Sequence, residues 1–150
     1  MPTVFNLFDN WRKTAADPAR AAAVAGTLKM AIFRAVTPNQ NTFDFYDDLV
    51  PATNEVTGTS YTARGNACAT ITWLMDAAGL ITLDAADPAA WAQSASGFTL
   101  GRRAILYYDT AVNTTSTLVG YSDDFGADVS NVSGIFSIAF DAAGIYTSAR

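Results

Sequence analysis

Histidine is absent from the 150-residue chain. Its absence removes Ser-His-Asp and Cys-His catalysis, imidazole-ligated zinc and the commonest general base at neutral pH. Cysteine occurs once, at Cys68. A single thiol makes neither an intrachain disulfide nor a zinc site, and its apolar neighbourhood of Thr, Ile and Trp marks it as a small buried hydrophobe. Lysine is confined to Lys13 and Lys29, the net charge is −5, and among the arginines only Arg102 and Arg103 form a strong pair. A sequence-independent nucleic-acid binder draws its affinity from a basic stripe that neutralises phosphates, so no direct nucleic-acid partner is expected. No apolar run approaches the roughly 18 residues of a membrane span, so no membrane partner is expected either. The N-terminus lacks the basic-then-apolar pattern of a secretory signal, which predicts synthesis in a cytoplasm. Neither Gly-x-Gly-x-x-Gly nor a phosphate-binding loop occurs, which argues against a nucleotide site.

Charge of either sign is scarce: 15% of residues are charged while half are apolar, against about 25% charged in ordinary soluble domains. So weakly charged a surface exposes apolar and Ser/Thr/Asn-rich area, which suits a protein covered by neighbours in an assembly. The alternative is a monomer with an alanine-rich, weakly charged exterior. The length suits one domain that buries roughly two-thirds of its extended surface.

Two parts of that domain are expected: an N-terminal helical segment, residues 1–26, and a β-sandwich domain, residues 27–150. In the first, Val4, Phe5, Leu7, Phe8 and Trp11 recur at spacings of three and four, which predicts an amphipathic helix over residues 4–14. Asp17-Pro18 interrupts it, and a short second helix is expected over residues 19–25, stopped by Gly26. From Thr27 the period changes to two. Leu28, Met30 and Ile32 alternate with Lys29, Ala31 and Phe33 in a strand ended by Thr37-Pro38-Asn39. A helical turn is expected over residues 43–49. Further strands are expected over residues 53–61, 67–75, 80–83, 97–108, 116–121, 134–141 and 145–148. This pattern predicts a mainly β fold, an antiparallel β-sandwich or jelly-roll-like arrangement with an N-terminal helix.

One phrase occurs twice. Asp76-Ala77-Ala78-Gly79 and Asp141-Ala142-Ala143-Gly144 each lie between apolar β-runs. Aspartate opens a type I turn and a glycine three residues on takes the left-handed conformation, so each copy is expected to close a hairpin.

Carboxylate pairs can hydrolyse glycosidic bonds without histidine, and the candidates are Asp44, Asp47, Asp48, Glu55, Asp84, Asp87, Asp123 and Asp124. Each has a simpler reading as a turn or helix cap. The loop Asp123-Asp124-Phe125-Gly126-Ala127-Asp128 also has the oxygen-rich character of a structural Ca²⁺ site, although its spacing does not match an EF-hand loop. The expectation is no catalytic residue, no cofactor and no metal ligand. The aromatics Phe43, Phe45, Tyr46, Trp73, Trp91, Tyr107, Tyr108 and Phe125 suit a core or subunit interface more often than a sugar-stacking platform.

Several phrases together resemble a family of small virion structural proteins of tailed phages. They are Leu28-Lys29-Met30-Ala31-Ile32-Phe33, Phe43-Asp44-Phe45-Tyr46-Asp47-Asp48, Asn54-Glu55-Val56-Thr57-Gly58-Thr59-Ser60-Tyr61-Thr62-Ala63-Arg64-Gly65, Arg103-Ala104-Ile105-Leu106-Tyr107-Tyr108-Asp109-Thr110, Leu118-Val119-Gly120-Tyr121, Asp124-Phe125-Gly126-Ala127-Asp128 and Phe140-Asp141-Ala142-Ala143-Gly144-Ile145. Their order matches over residues 4–148. The chain departs from the family pattern in an alanine-rich insert at residues 17–25 and in the strand-like run at residues 68–75. The resemblance implies a non-enzymatic protein of the virion, assembled in the bacterial host cytoplasm. It is expected to act as a capsid decoration (cement) protein whose partners are the major capsid protein and copies of itself, as a trimer. A tail, neck or fibre adaptor or host-binding protein is the alternative. The expected interface residues are Phe5, Phe8, Trp11, Phe43, Phe45 and Tyr46. Phe5, Phe8 and Trp11 have a second reading, in which they close one end of the β-sandwich.

Overall fold

The computed structural model describes residues 2–3, 5–15, 24–75 and 81–148. The chain is mainly β. Its largest unit is a five-stranded antiparallel sheet in the order β2 (Phe5–Leu7), β8 (Thr117–Ser122), β7 (Arg103–Asp109), β3 (Thr27–Phe33), β4 (Asn66–Ala67). A three-stranded antiparallel sheet runs β10 (Tyr146–Ser148), β6 (Ile81–Asp84), β5 (Thr72–Met75). A short parallel pair joins β1 (Pro2–Thr3) to β9 (Ala139–Phe140).

Strands β3 and β7 form the centre, paired along their full length from Thr27↔Asp109 to Phe33↔Arg103. Every residue of 104–108 is buried, as are Leu28 and the run from Met30 to Phe33, so both faces of the central strands are covered. Directly paired residues of an antiparallel ladder share a face. Leu28, Met30 and Ile32 therefore lie with Tyr108, Leu106 and Ala104, while Ala31 and Phe33 lie with Ile105 and Tyr107 on the opposite face. The β7–β8 register shifts between Leu106 and Tyr107. This bulge leaves Val119 outside the ladder, and its carbonyl accepts the Phe8 N–H at 3.2 Å.

Several expectations are corrected. The helix expected over residues 4–14 is not formed as such: Phe5–Leu7 is a strand of the main sheet, and a seven-residue helix, α1 (Asp9–Ala15), follows it. The spacing that suggested helix has another cause, because Phe5 and Leu7 alternate about Asn6 on an edge strand, whereas Phe8 immediately precedes α1 and Trp11 lies in its first turn. Since β2 pairs with β8, residues on both sides of residue 26 contribute to the main sheet. The second helix expected over residues 19–25 lies almost wholly outside the described residues. Residues 53–61 are not a strand: Pro51–Asn54 is a helical turn, α2, and the chain beyond Glu55 runs as an irregular strap. The long strand expected over residues 97–108 begins only at Arg103, and of residues 134–141 only Ala139–Phe140 is a strand.

The repeated phrase splits in outcome. Around residues 76–79, which lie outside the described residues, β5 and β6 pair antiparallel as a hairpin requires. The second copy does make its turn, with Gly144 at φ 97 and its N–H on the Asp141 carbonyl at 2.9 Å. It is not a hairpin, however, because β9 pairs with β1 and β10 pairs with β6. The turn passes the chain from one sheet to another.

Candidate functional site

Asp109 ends β7 in a charge-poor neighbourhood, and two cations converge on it. Arg64 donates to Asp109 Oδ1 through Nε at 2.8 Å and through Nη2, and Lys29 Nζ lies 2.8 Å from Oδ2. The Ala111 N–H adds a third donor, at 2.8 Å. Burial alone would raise the Asp109 pKa, but the Arg64 and Lys29 hydrogen bonds outweigh it and hold the carboxyl well below the ordinary carboxylate range. Arg64 is committed on every side. It also donates to Asn113 Oδ1 and, at 2.9 Å, to Ser116 Oγ, and its guanidinium sits 5.0 Å from the Tyr46 ring centroid. Tyr46 in turn stacks on Tyr107 of β7 at 4.2 Å and meets Phe33 of β3 edge-on at 5.6 Å.

Glu55 is the only glutamate of the chain. Its Oε1 accepts the Tyr61 hydroxyl at 2.8 Å and the Arg64 N–H at 2.6 Å. Tyr61 Oη accepts the N–H of Ile32 at 3.0 Å, and Tyr107 Oη donates to the Arg64 carbonyl at 2.7 Å. The strap is thereby laced to the middle of the sheet. Burial pushes the Glu55 pKa up, and the hydrogen bonds from Tyr61 and the Arg64 backbone pull against that shift. Burial, with Tyr107 and Glu55 adding to it, pushes the Tyr46 pKa far up, so this hydroxyl keeps its proton across the ordinary pH range.

A pocket of about 310 Å³ opens above this network. Tyr46, Glu55 and Arg64 supply its polar lining, and Pro51, Ala52 and Val56 much of the apolar part. The geometry is that of a hydrogen-bonded clasp with an open mouth. It presents no nucleophile beside a base, and Asp109 has its cations already in place.

Most of the other candidate carboxylates are turn and clasp groups. Asp48 Oδ2 accepts the N–H groups of Asp44 and Phe45 at 2.8 and 2.9 Å, Asp84 Oδ1 accepts the Ala85 N–H at 2.8 Å, and Asp87 Oδ1 accepts the Phe140 N–H at 2.7 Å. In the loop considered for Ca²⁺, Arg102 reaches Asp124 at 2.7 Å and Asp128 at 3.5 Å, so a guanidinium stands where a cation would sit. Asp123 Oδ1 accepts from Asn6 Nδ2. Among the described residues no group of three or more acidic or cysteine side chains is arranged to hold a metal ion.

Of the six expected interface residues, Phe5, Phe8, Trp11 and Tyr46 are buried in the core, Phe43 is half-buried, and Phe45 alone is exposed. The apolar area of the first four is used inside the protein: Phe5 meets Phe140, Phe8 meets Tyr121, and Trp11 meets Trp73 and Tyr108. Among the described residues the other exposed large apolar side chains lie elsewhere, led by Ile135 at 72% and Leu74 at 63% exposed.

Cys68 is buried, and burial, with the charge of Asp87 adding to it, pushes its thiol up to about 12. Thiolate is the reactive species. Ellman's reagent should therefore leave the native protein unmodified and titrate one thiol per chain in denaturant; rapid labelling of the native protein would contradict this burial.

Comparison of the chain with protein-family models, with curated proteins and with solved structures found no match.

Proposed function

We propose that the protein is a non-enzymatic structural subunit of a tailed-phage virion, a capsid decoration protein that binds at junctions between major capsid subunits. The observation that carries the reading is the pairing of a charge-poor chain with protruding aliphatic side chains. Ile135, Leu74, Val50 and Val112 are each more than half exposed, while Asp48, Asp84, Asp87 and Asp124, four of the acidic groups that would argue for hydrolysis, are occupied as caps and clasps. Leu74 lies on β5, an edge strand of its sheet, and an edge carrying an exposed leucine is suited to a neighbouring chain.

The finer architecture belongs to the same proposal. The three-stranded sheet forms the second layer of a sandwich, with Trp11 between the layers. In support, Trp11 lies 5.7 Å from Trp73 of β5 and 5.4 Å from Tyr108 of β7. Such a stack buries large aromatic area.

Light scattering of the purified protein, together with sedimentation onto empty capsids, tests the function. The expected result is an oligomer, a trimer above all, or saturable capsid binding that Leu74→Asp and Ile135→Asp weaken without lowering the melting temperature. A strictly monomeric protein that binds no capsid would overturn the proposal.

A further inference from the structure

An edge strand leaves its outward N–H and C=O groups unpaired, and native proteins guard such edges with a lysine, a proline or a bulge. Among the described residues β5 has β6 on one side and no strand on the other. It carries none of those guards. No charged residue and no proline occurs from Gly65 to Met75, and the β5–β6 register runs without a shift from Thr72↔Asp84 to Met75↔Ile81. Thr72 and Leu74, which share a face of the strand, are both exposed, and so is Ile71 just before it. On the other face Trp73 meets Trp11 at 5.7 Å. The strand is therefore fixed from within and open along its outer edge.

Charge selects the occupant. The chain is acidic, at −5, so two copies can meet only where their carboxylates stay apart. At the edge strand β2, Asp9 follows closely and Asp123 is bonded to Asn6, so like charges would oppose one another. At β5 the acid within the sheet is Asp84 of β6, opposite Thr72. In a sheet continued through β5 into a second copy, the two β6 strands lie three strand spacings apart, about 14 Å. That exceeds the Debye length of about 8 Å at physiological salt. Antiparallel pairing also sends the two Met75 ends, each followed by Asp76 in sequence, in opposite directions. We propose that β5 pairs antiparallel with β5 of a second copy about a two-fold axis, joining their three-stranded sheets into one. The contact is self-complementary, each copy supplying the edge that the other lacks. It rests on the edge and not on the capsid, and being two-fold it adds to any three-fold contact made elsewhere on the chain. A four-residue edge buries less than the roughly 1,200–2,000 Å² of a stable complex, so the pairing depends on concentration.

Sedimentation velocity of the full chain from micromolar to millimolar concentration tests the contact. The weight-average mass should rise with concentration as monomers pair. Leu74→Lys should weaken the pairing about tenfold, because it brings two like charges into one seam. Lysine also moves the net charge toward zero, which by itself favours association, so weakening reads the edge and not the overall charge. Thr72→Lys, exposed on the same face, repeats the test, and Ile135→Lys should leave the pairing intact. Hydrogen exchange at low and high concentration should show protection gained on alternate amides of residues 72–75, the mark of strand pairing as distinct from leucine packing. A mass that stays monomeric throughout, pairing unchanged in both β5 variants, or β5 amides indifferent to concentration would overturn the contact without touching capsid binding. Pairing that both variants weaken, in a chain that binds no capsid, would keep the contact and overturn the capsid role.

Discussion

Gly65→Ala is expected to prevent the chain from folding, with loss of the cooperative melting transition and of soluble yield. Gly65 sits at φ 70, and a Cβ there would overlap the Met30 carbonyl oxygen and lie 2.5 Å from its carbon and 2.6 Å from Ala31 Cα. All three atoms are backbone of β3, the strand held by β7 on one side and β4 on the other, so none can give way without opening the centre of the sheet. The left-handed conformation alone costs alanine about 1–2 kcal/mol. The clash adds to that until the total rivals the roughly 5–15 kcal/mol by which a domain of this kind is stable. Gly126→Ala separates the two effects: Gly126 has φ 78, but a methyl group there would meet nothing within 4 Å, so this variant should fold and lose only the conformational term. Equal melting temperatures for the two variants would show that the strap does not approach β3 as closely as described.

Residues 53–61, which lead to this close approach, read as a strand in the sequence and fold as something else. Val56, Thr57, Thr59 and Tyr61 have the composition of a strand, and local propensity gives no hint that their partners are distant single residues. The strap bonds to Ile32 through Val56 and Tyr61, to Ser96 through Thr59, and to its own turn through Arg64 and Glu55. Such lacing has no period. In contrast β3, β7 and β8 are legible because each is a run of six or seven residues with an apolar centre whose neighbours in the sheet are also its neighbours in kind. The Asp-Ala-Ala-Gly phrases mark the boundary between these cases. Turn chemistry is local and readable, whereas which strand pairs with which is decided by packing, and the second copy crosses between sheets.

The candidate site is visible in the sequence only in fragments. Glu55 stands among the carboxylates and Tyr46 among the aromatics, but Arg64, Asp109, Asn113 and Ser116 come from separate loops that only the fold brings together. One signal is present. In a chain with 15% charged residues, an aspartate that closes a buried strand and an arginine just before a glycine are exceptions to the surrounding composition, and a buried charge implies a partner. The aromatics divide in the same manner: spacing identifies Phe8 and Trp11 as one apolar face, but only the tertiary structure decides that this face turns inward toward Tyr108 and Tyr121.

Asp109→Asn should lower stability by about 2–4 kcal/mol at neutral pH, because breaking a buried pair from one side leaves its cations without an anion. For a chain of this length that is a fall of roughly 5–15 °C in Tm. The Asp109 side chain is 6% exposed, and both Lys29 and Arg64 are more than two-thirds covered, so water cannot restore what the carboxylate supplied. Asparagine keeps the size and can still accept one hydrogen bond, which confines the change to charge. The same argument fixes the pH dependence. The folded-state pKa of Asp109 is depressed, so its contribution is fully present above the unfolded value of about 4 and is lost as pH falls below it toward the folded value. Wild type and Asp109→Asn should therefore differ most at neutral pH and converge in acid. Urea melts of both proteins across that range measure the gap. A gap that stayed constant with pH would mean that Asp109 acts through shape and not through charge, and the clasp would then owe its strength to the Glu55–Tyr61 side alone.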